Sequence, residues 1–170
     1  MSFNELARRR YSCRKLAARP VEQEKLDAIA EAGILAPTAC NKQPYTIWAV
    51  KSPEAVKAIR EVTGFTFGAE VFFVVGAKRD EAWVRPFDDA NFAVVDAAIV
   101  ATHMMLAIAD QGLATTWVAC FDAPKLQELV PEMKGHDLVA IFPVGYADPS
   151  ASPSAQHSAR RPPSEAVRAL

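Results

Sequence analysis

A single domain that mixes helices with strands is the fold class the sequence predicts, and three observations predict it. The chain has 170 residues, enough for one domain with a sizeable core. Segments with helical apolar spacing alternate with short runs of β-branched and aromatic residues. Asp89 to Gln111 is the longest apolar run, and its Phe92, Val94, Val95, Ile99, Val100, Met104, Leu106 and Ile108 point all round a helix. Such a helix has to be buried on most sides, so lipid, the rest of this chain or a second copy must wrap it. No internal repeat and no linker interrupts the sequence before an arm at about 148–163, so residues 1–170 read as one domain.

The elements follow in order. Ser2-Phe3-Asn4-Glu5 is a capping box, with Ser at the N-cap and Glu at N3, and opens a short helix that runs into Arg8-Arg9-Arg10. Tyr11 to Lys15 is too polar and basic for core. Val21 to Leu35 is a second helix with Leu26, Ile29, Ala30 and Ile34 on one face. Ala36 to Pro44 is a loop bounded by prolines, each of which pushes the preceding residue toward extended geometry. Tyr45 to Val50 is a strand. Ser52-Pro53 starts a helix with proline at N1, carrying Val56 and Ile59. Gly64 to Gly68 is a loop, and Val71 to Gly76 is a continuous apolar strand, central in a sheet. Lys78 to Asp88 is a charged loop holding Trp83 and Phe87, followed by the long helix and a stop at Gly112. Thr115 to Cys120 reads as a strand, Asp122 as the cap of a short helix with Leu126, Leu129 and Val130, and Leu138 to Tyr146 as the last strand, with Pro143 at its end or on an edge. Asp148 to Pro163 reads as an extended arm rather than a packed element, and Ser164 to Leu170 as a last turn of helix.

Composition narrows the function classes. A net charge of −1 gives no global pointer to nucleic acid, and 51% apolar with 23% charged residues fits a globular protein. Cys13, Cys40 and Cys120 are odd in number and widely spaced, which argues against a disulfide framework and for a reducing, cytoplasmic setting. None forms a CxxC pair, so no metal site is expected. The start lacks the apolar stretch of a secretory signal. A membrane span is not expected either: Asp96 sits within the apolar run, where charge in lipid is costly, and the uninterrupted stretch Ala97 to Ala109 falls short of the roughly 20 residues a span requires.

Three features carry possible chemistry. Arg8-Arg9-Arg10 with Ser12 and Arg14 supplies forked donors and a hydroxyl suited to phosphate, although taken alone the cluster is read first as a solvated helix C-terminus. The proline-bounded loop offers Thr38, Asn41 and Gln43, whose groups suit the edge of a heterocycle or plain turn chemistry. Arg160-Arg161 ends the arm, where basic residues either reach a ligand or stay in solvent. His103 on an apolar helix reads as a core histidine. No GxSxG, HExxH, P-loop or GxGxxG pattern is present. Phosphate-ready residues without a nucleophile–base pair, and so without a catalytic side chain, fit a protein whose cofactor does the chemistry.

Together these stretches resemble the nitroreductase family of FMN-dependent oxidoreductases. Arg10-Tyr11-Ser12-Cys13-Arg14 resembles its R-x-S-x-R motif, and Ala36 to Tyr45 its APS-x-x-N-x-QPW loop. Asp96 to Leu113 resembles its D-x-A-I-A…H-M-x-L-x-A…GLG helix, Thr115 to Asp122 the following strand and turn, and Phe142 to Tyr146 with Arg160-Arg161-Pro162 the C-terminal pattern. The departures are Thr38 for Ser, Tyr45 for Trp, Ala114 for the last Gly of GLG, and Ala119 or Cys120 where Gly is frequent. They bear on substrate range.

The resemblance implies an α+β fold with a central, mostly antiparallel sheet flanked by helices. It also implies a homodimer built on the long buried helix, with FMN in each of two interface sites. Arg10, Tyr11, Ser12 and Arg14 would then hold the phosphate and the pyrimidine edge, with Arg160 or Arg161 adding to the phosphate site. Pro37, Thr38, Asn41 and Gln43 would come from the other subunit, and the backbone at Ala119 and Cys120 would lie near the flavin's reactive nitrogen. The implied partners are NAD(P)H and a small-molecule electron acceptor, a nitroaromatic or quinone, in a ping-pong cycle. Trp83 and Phe87 either line that cleft or only cap the core. The rival readings are a flavoprotein of the same fold doing dehalogenation, oxidation or flavin breakdown, and a non-enzymatic protein whose Arg clusters bind nucleic acid, which the missing basic stripe disfavours.

Overall fold

The computed structural model describes residues 1–170. The Phe3–Arg9 helix (α1) opens on the expected capping box: Glu5 N–H donates to Ser2 Oγ at 3.3 Å and Ser2 N–H to Glu5 Oε2 at 2.6 Å. There follow α2 (Gln23–Ile34), β1 (Tyr45–Val50), α3 (Pro53–Val62), β2 (Val71–Ala77), α4 (Ala93–Asp110), α5 (Ala123–Leu129), β3 (Asp137–Val144) and a short α6 (Pro163–Ala166). The α+β expectation holds. Side-chain caps from Ser52 and Asp122 start α3 and α5, each with a proline in its first turn.

The sheet runs β1-β2-β3, antiparallel throughout, so the apolar 71–77 strand is central as predicted. Its side chains alternate between two cores. Phe73, Val75 and Ala77 face one that contains Leu26 and Ile29 of α2 and Ala97, Val100, Met104 and Ile108 of α4. Phe72 and Val74 face the other, with Val56 and Ile59 of α3 and Leu126 of α5. Burial on both faces is why β2 is apolar at every position rather than at alternate ones. Gly33 allows α2 close to α4, for a Cβ there would stand 2.8 Å from Ile47 and 2.9 Å from Met104. Gly112, at φ +71°, ends α4 in the left-handed conformation that glycine adopts without strain.

Several expectations need correcting. Ile34 is 60% exposed: α2 overhangs the core at its last turn, where Gly33 rather than Ile34 faces inward. The segment Tyr11 to Lys15 is not all surface, since Cys13 is fully buried and its N–H donates to Thr115 O at 2.9 Å. Thr115 to Cys120 is not a regular strand. It pairs with β3 at Ala114↔Gly145 and Val118↔Ile141 only. Between those pairs Thr116 stands opposite Pro143, which has no N–H to donate, so the ladder is broken there. Pro143 itself lies inside β3 rather than at its end. The long helix buries only one side: Val94 and Val95 are 40% and 48% exposed, and with Ala98, Ile99, Thr102, His103, Leu106 and Phe3 they form an open, mostly apolar face. Within one chain, therefore, the helix is not wrapped on all sides.

Candidate functional site

The N-terminal segment after α1 supplies the first wall. At Arg10 the backbone turns extended (φ −60°, ψ 128°). Ser12 then bridges to Thr115 in parallel and Leu16 to Ala147 in antiparallel fashion, so the segment runs from the edge of Thr115 to the chain just beyond β3. Burial of Cys13 on one side leaves Ser12 and Arg14, its neighbours, to the other side of this strand-like piece.

The C-terminal arm supplies the second wall. It is mostly exposed and extended, with Asp148, Ala151 and His157 half-buried, and it is tied to the domain at a few points. Asp148 pairs with Lys15 at 3.3 Å, and its carboxyl is held below its ordinary range chiefly by the Ser150 hydroxyl and backbone amide. A 3-10 turn at Ala155–His157 brings the arm back to α1, where His157 Nε2 meets the Arg8 carbonyl at 3.1 Å; that nitrogen carries the proton, since a carbonyl only accepts. The His157 ring stands edge-on to Tyr11, centroids 6.2 Å apart. Burial, and then the Cys13 thiol beside it, raise the Tyr11 hydroxyl above its usual range.

Arg10, Ser12, Arg14, Ser154, Gln156, His157 and Arg160 enclose a cavity of about 230 Å³ with no apolar residue in its lining. Four of the predicted residues thus meet, from sequence positions up to 150 apart. The Arg10 guanidinium has no hydrogen bond or ion pair within the chain, Arg14 spends Nη1 on the Ser12 carbonyl at 3.2 Å, and Arg160 spends Nη1 on the carbonyls of His157 and Ala159, both at 2.7 Å. No carboxylate lines the cavity, so its three guanidinium groups and two hydroxyls, with the Gln156 amide and the His157 ring beside them, suit an anion.

Two further clefts adjoin through shared walls. Arg10 and Tyr11 border one lined by Met105, Ile108, Leu113 and Ala114. Arg14 borders another lined by Phe65, Phe67, Trp117, Ala119 and Cys120. Thr63 holds this last wall together: its hydroxyl donates to the Cys120 carbonyl at 2.8 Å and accepts from Phe65 N–H at 3.2 Å. Phe65, Phe67, Ser154, Gln156 and His157 went unnoticed in the sequence. A histidine three residues before Arg160 in a polar arm was the available signal.

Pro37, Thr38, Asn41 and Gln43 line none of these cavities. They sit in a loop with three non-glycine residues in the left-handed region, Cys40, Asn41 and Gln43, at φ 50°, 51° and 51°. Each such residue costs on the order of 1 kcal/mol, so bonds must hold the conformation. Gln43 N–H donates to Thr38 Oγ1 at 3.0 Å, and Ala39 N–H donates to Asp96 Oδ1 of α4 at 2.9 Å. Asp96 is 1% exposed, and its Oδ2 is buried without a partner. Arg161 makes no side-chain bond in the chain and stays exposed. Phe87 is 93% exposed and Trp83 packs edge-on to Phe92 at 5.1 Å, so neither lines the clefts at Arg10 and Arg14.

Comparison with known proteins bears on the family and the fold. The Nitroreductase family model matches residues 7–64 and 61–146. A nitroreductase family protein from Clostridium difficile 630 superposes with a TM-score of 0.90 at 32% identity, covering 99% of this chain and 98% of that one. A candidate nitroreductase from Exiguobacterium sibiricum, solved in complex with FMN, shares the fold at 16% identity (TM-score 0.84, 100% and 98% covered). A candidate NADH dehydrogenase/NAD(P)H nitroreductase from Archaeoglobus fulgidus is 28% identical over 79% of this chain and 78% of its own length. Rat iodotyrosine deiodinase 1 is 23% identical over 85% of this chain, which spans only 61% of that longer protein.

Proposed function

The chain belongs to the nitroreductase family, and from that premise we propose that it is an FMN-dependent oxidoreductase drawing electrons from NAD(P)H and passing them to a small aromatic or quinone acceptor. The single observation that carries this reading is the all-polar cavity in which Arg10, Ser12, Arg14 and Arg160 converge. It fits FMN by the chemistry of its donors: forked cations and a hydroxyl for a phosphate, with no carboxylate to repel it. When bound, FMN would supply the two-electron redox chemistry.

In this reading the chain's own residues bind, orient and exclude water. Arg10, Ser12 and Arg160 would hold the phosphate, and Arg14, which borders both the polar cavity and the Trp117 cleft, and Tyr11 would contribute to the pyrimidine edge. The wall of Ala119 and Cys120, fixed by Thr63, borders the reacting face, and Phe65, Phe67 and Trp117 give an acceptor apolar surface to lie on. Asn41 and Gln43 stand apart from this cavity, which agrees with their arriving from a second copy. The open face of α4 supports a homodimer, because contiguous apolar area of that kind marks an interaction surface. A reducing, cytoplasmic setting suits three unpaired cysteines.

The deciding experiment is the absorbance spectrum of the purified protein, followed by NAD(P)H turnover with a quinone. Flavin bands and flavin bleaching by a nicotinamide are expected. A colourless protein that FMN cannot reconstitute, or a bound flavin that neither NADH nor NADPH reduces, would overturn the reading.

A further inference from the structure

We propose that Asp96 is a positioning residue for the cofactor-facing loop, setting the conformation of residues 38–43 through its bond to Ala39. The inference rests on the reading that this loop contacts FMN in the assembled protein.

Three observations carry it. Asp96 is 1% exposed on the first turn of α4, and one oxygen accepts the Ala39 amide at 2.9 Å while the other is buried with no partner. A carboxylate in that state is costly and persists only where it does something a smaller or apolar residue would not. The loop it holds is strained: Cys40, Asn41 and Gln43 all sit at positive φ, and none is glycine. Finally, the ties to the rest of the fold are few. The bonds Asn41 N–H to Thr38 O, Lys42 N–H to Ala39 O and Gln43 N–H to Thr38 Oγ1 lie within the loop, and beyond the adjoining ends of α2 and β1 only Asp96 to Ala39 and Lys78 N–H to the Pro44 carbonyl reach outward. Pro44 lies past the strained residues. Asp96 is therefore the one side chain that fixes where the turn begins, and with it the direction in which Thr38 and Asn41 present their polar groups. The first-turn position lends support, since helix N-termini favour a negative charge.

The bond geometry separates this role from a general need for a buried acid. Asp96→Asn keeps the carbonyl oxygen that accepts from Ala39. Asp96→Leu keeps the volume and removes the acceptor. Ala39→Pro removes the donor from the other side, at a position that follows an extended Thr38 (φ −132°, ψ 158°) and so tolerates proline.

The test measures FMN affinity by fluorescence titration and backbone hydrogen exchange by mass spectrometry, on wild type and these variants. Asp96→Leu and Ala39→Pro should each raise the FMN Kd about tenfold or more and speed exchange in the peptide spanning 36–44, with β2 and α4 still protected. Asp96→Asn should stay within about threefold of wild type. Should Asp96→Leu fail to fold, Ala39→Pro carries the test alone. Wild-type affinity and unchanged loop exchange in Ala39→Pro would overturn the proposal, as would Asp96→Asn behaving like Asp96→Leu. Failure of the functional reading looks different: the wild type itself would bind no FMN, whatever the loop exchange shows.

Discussion

Removing the Arg10 guanidinium should weaken FMN binding more than any other single change in the polar cavity. The ranking comes from what each arginine has left to give. Arg10 is half-buried and spends none of its donors within the chain, so a bidentate pair to phosphate is open to it. Arg14 has already committed Nη1 to Ser12 O, and Arg160 has committed Nη1 twice. A hydrogen bond to a charged group is worth about 1.5 kcal/mol at the low end. Two such bonds give about 3 kcal/mol, or roughly a hundredfold in Kd, and one gives about tenfold. Arg10→Ala should thus raise the Kd about a hundredfold, Arg14→Ala about tenfold, and Arg161→Ala, whose side chain stands free in solvent, less than about twofold. Fluorescence titration of flavin-stripped protein at fixed ionic strength measures all three, and far-ultraviolet circular dichroism should be unchanged. An Arg10→Ala protein within twofold of wild type, or an Arg161→Ala protein weaker than Arg10→Ala, would refute the reasoning.

Other expectations concern the assembly and the scaffold. Val95→Glu, on the open face of α4, should convert a dimer to a monomer in sedimentation velocity and lower FMN retention with it; an unchanged dimer would place the interface elsewhere. Leu126→Ala, at a fully buried position, should cost about 2–5 kcal/mol and lower Tm by roughly 5–15 °C. Ile34→Ala, at an exposed one, should stay within about 0.5 kcal/mol, and equal losses in urea unfolding would contradict the placement of α2. Glu22 titrates at about 2 rather than 4.5, principally because the Tyr146 hydroxyl donates to it, at 2.6 Å. Its folded pKa is depressed, so its contribution is complete above pH 4.5 and lost as pH falls through about 2. The stability gap between wild type and Glu22→Gln should therefore be full at pH 6 and shrink below pH 4.5. A gap that stays constant down to pH 2 would rule out this linkage.

What the sequence made legible follows from how local each signal is. The capping box, the proline-started α3 and the twice-buried β2 are written in adjacent residues, and the structure repeats them. Ile34 was misplaced because spacing tells which residues share a helix face but not how far that face overhangs its neighbour. The irregularity at Thr115 to Cys120 has its cause on another strand, in Pro143. The return of the arm to α1 depends on His157 meeting the Arg8 carbonyl, 149 residues away, and no local pattern encodes that meeting. The polar cavity was half legible: Arg10, Ser12 and Arg14 announce themselves by spacing, whereas Gln156 and His157 sit among serines and prolines that look like tail. Asp96 registers in the sequence only as a charge that lipid would not accept, because its partner, the Ala39 amide, carries no side-chain signature.

The missing rung between Thr116 and Pro143 has a mechanical consequence. With both neighbouring pairs intact, register is held on each side of the gap, yet the span between them resists bending with one pair of bonds fewer than an unbroken ladder. The compliant point of the β-structure therefore falls beneath Trp117, at the base of the wall that ends in Cys120, and not in the stiff β1–β2–β3 ladder behind it. Thr63 ties the far end of that wall at the Cys120 carbonyl, so the give is confined to the span at Thr116 and Trp117 while both of its ends stay anchored.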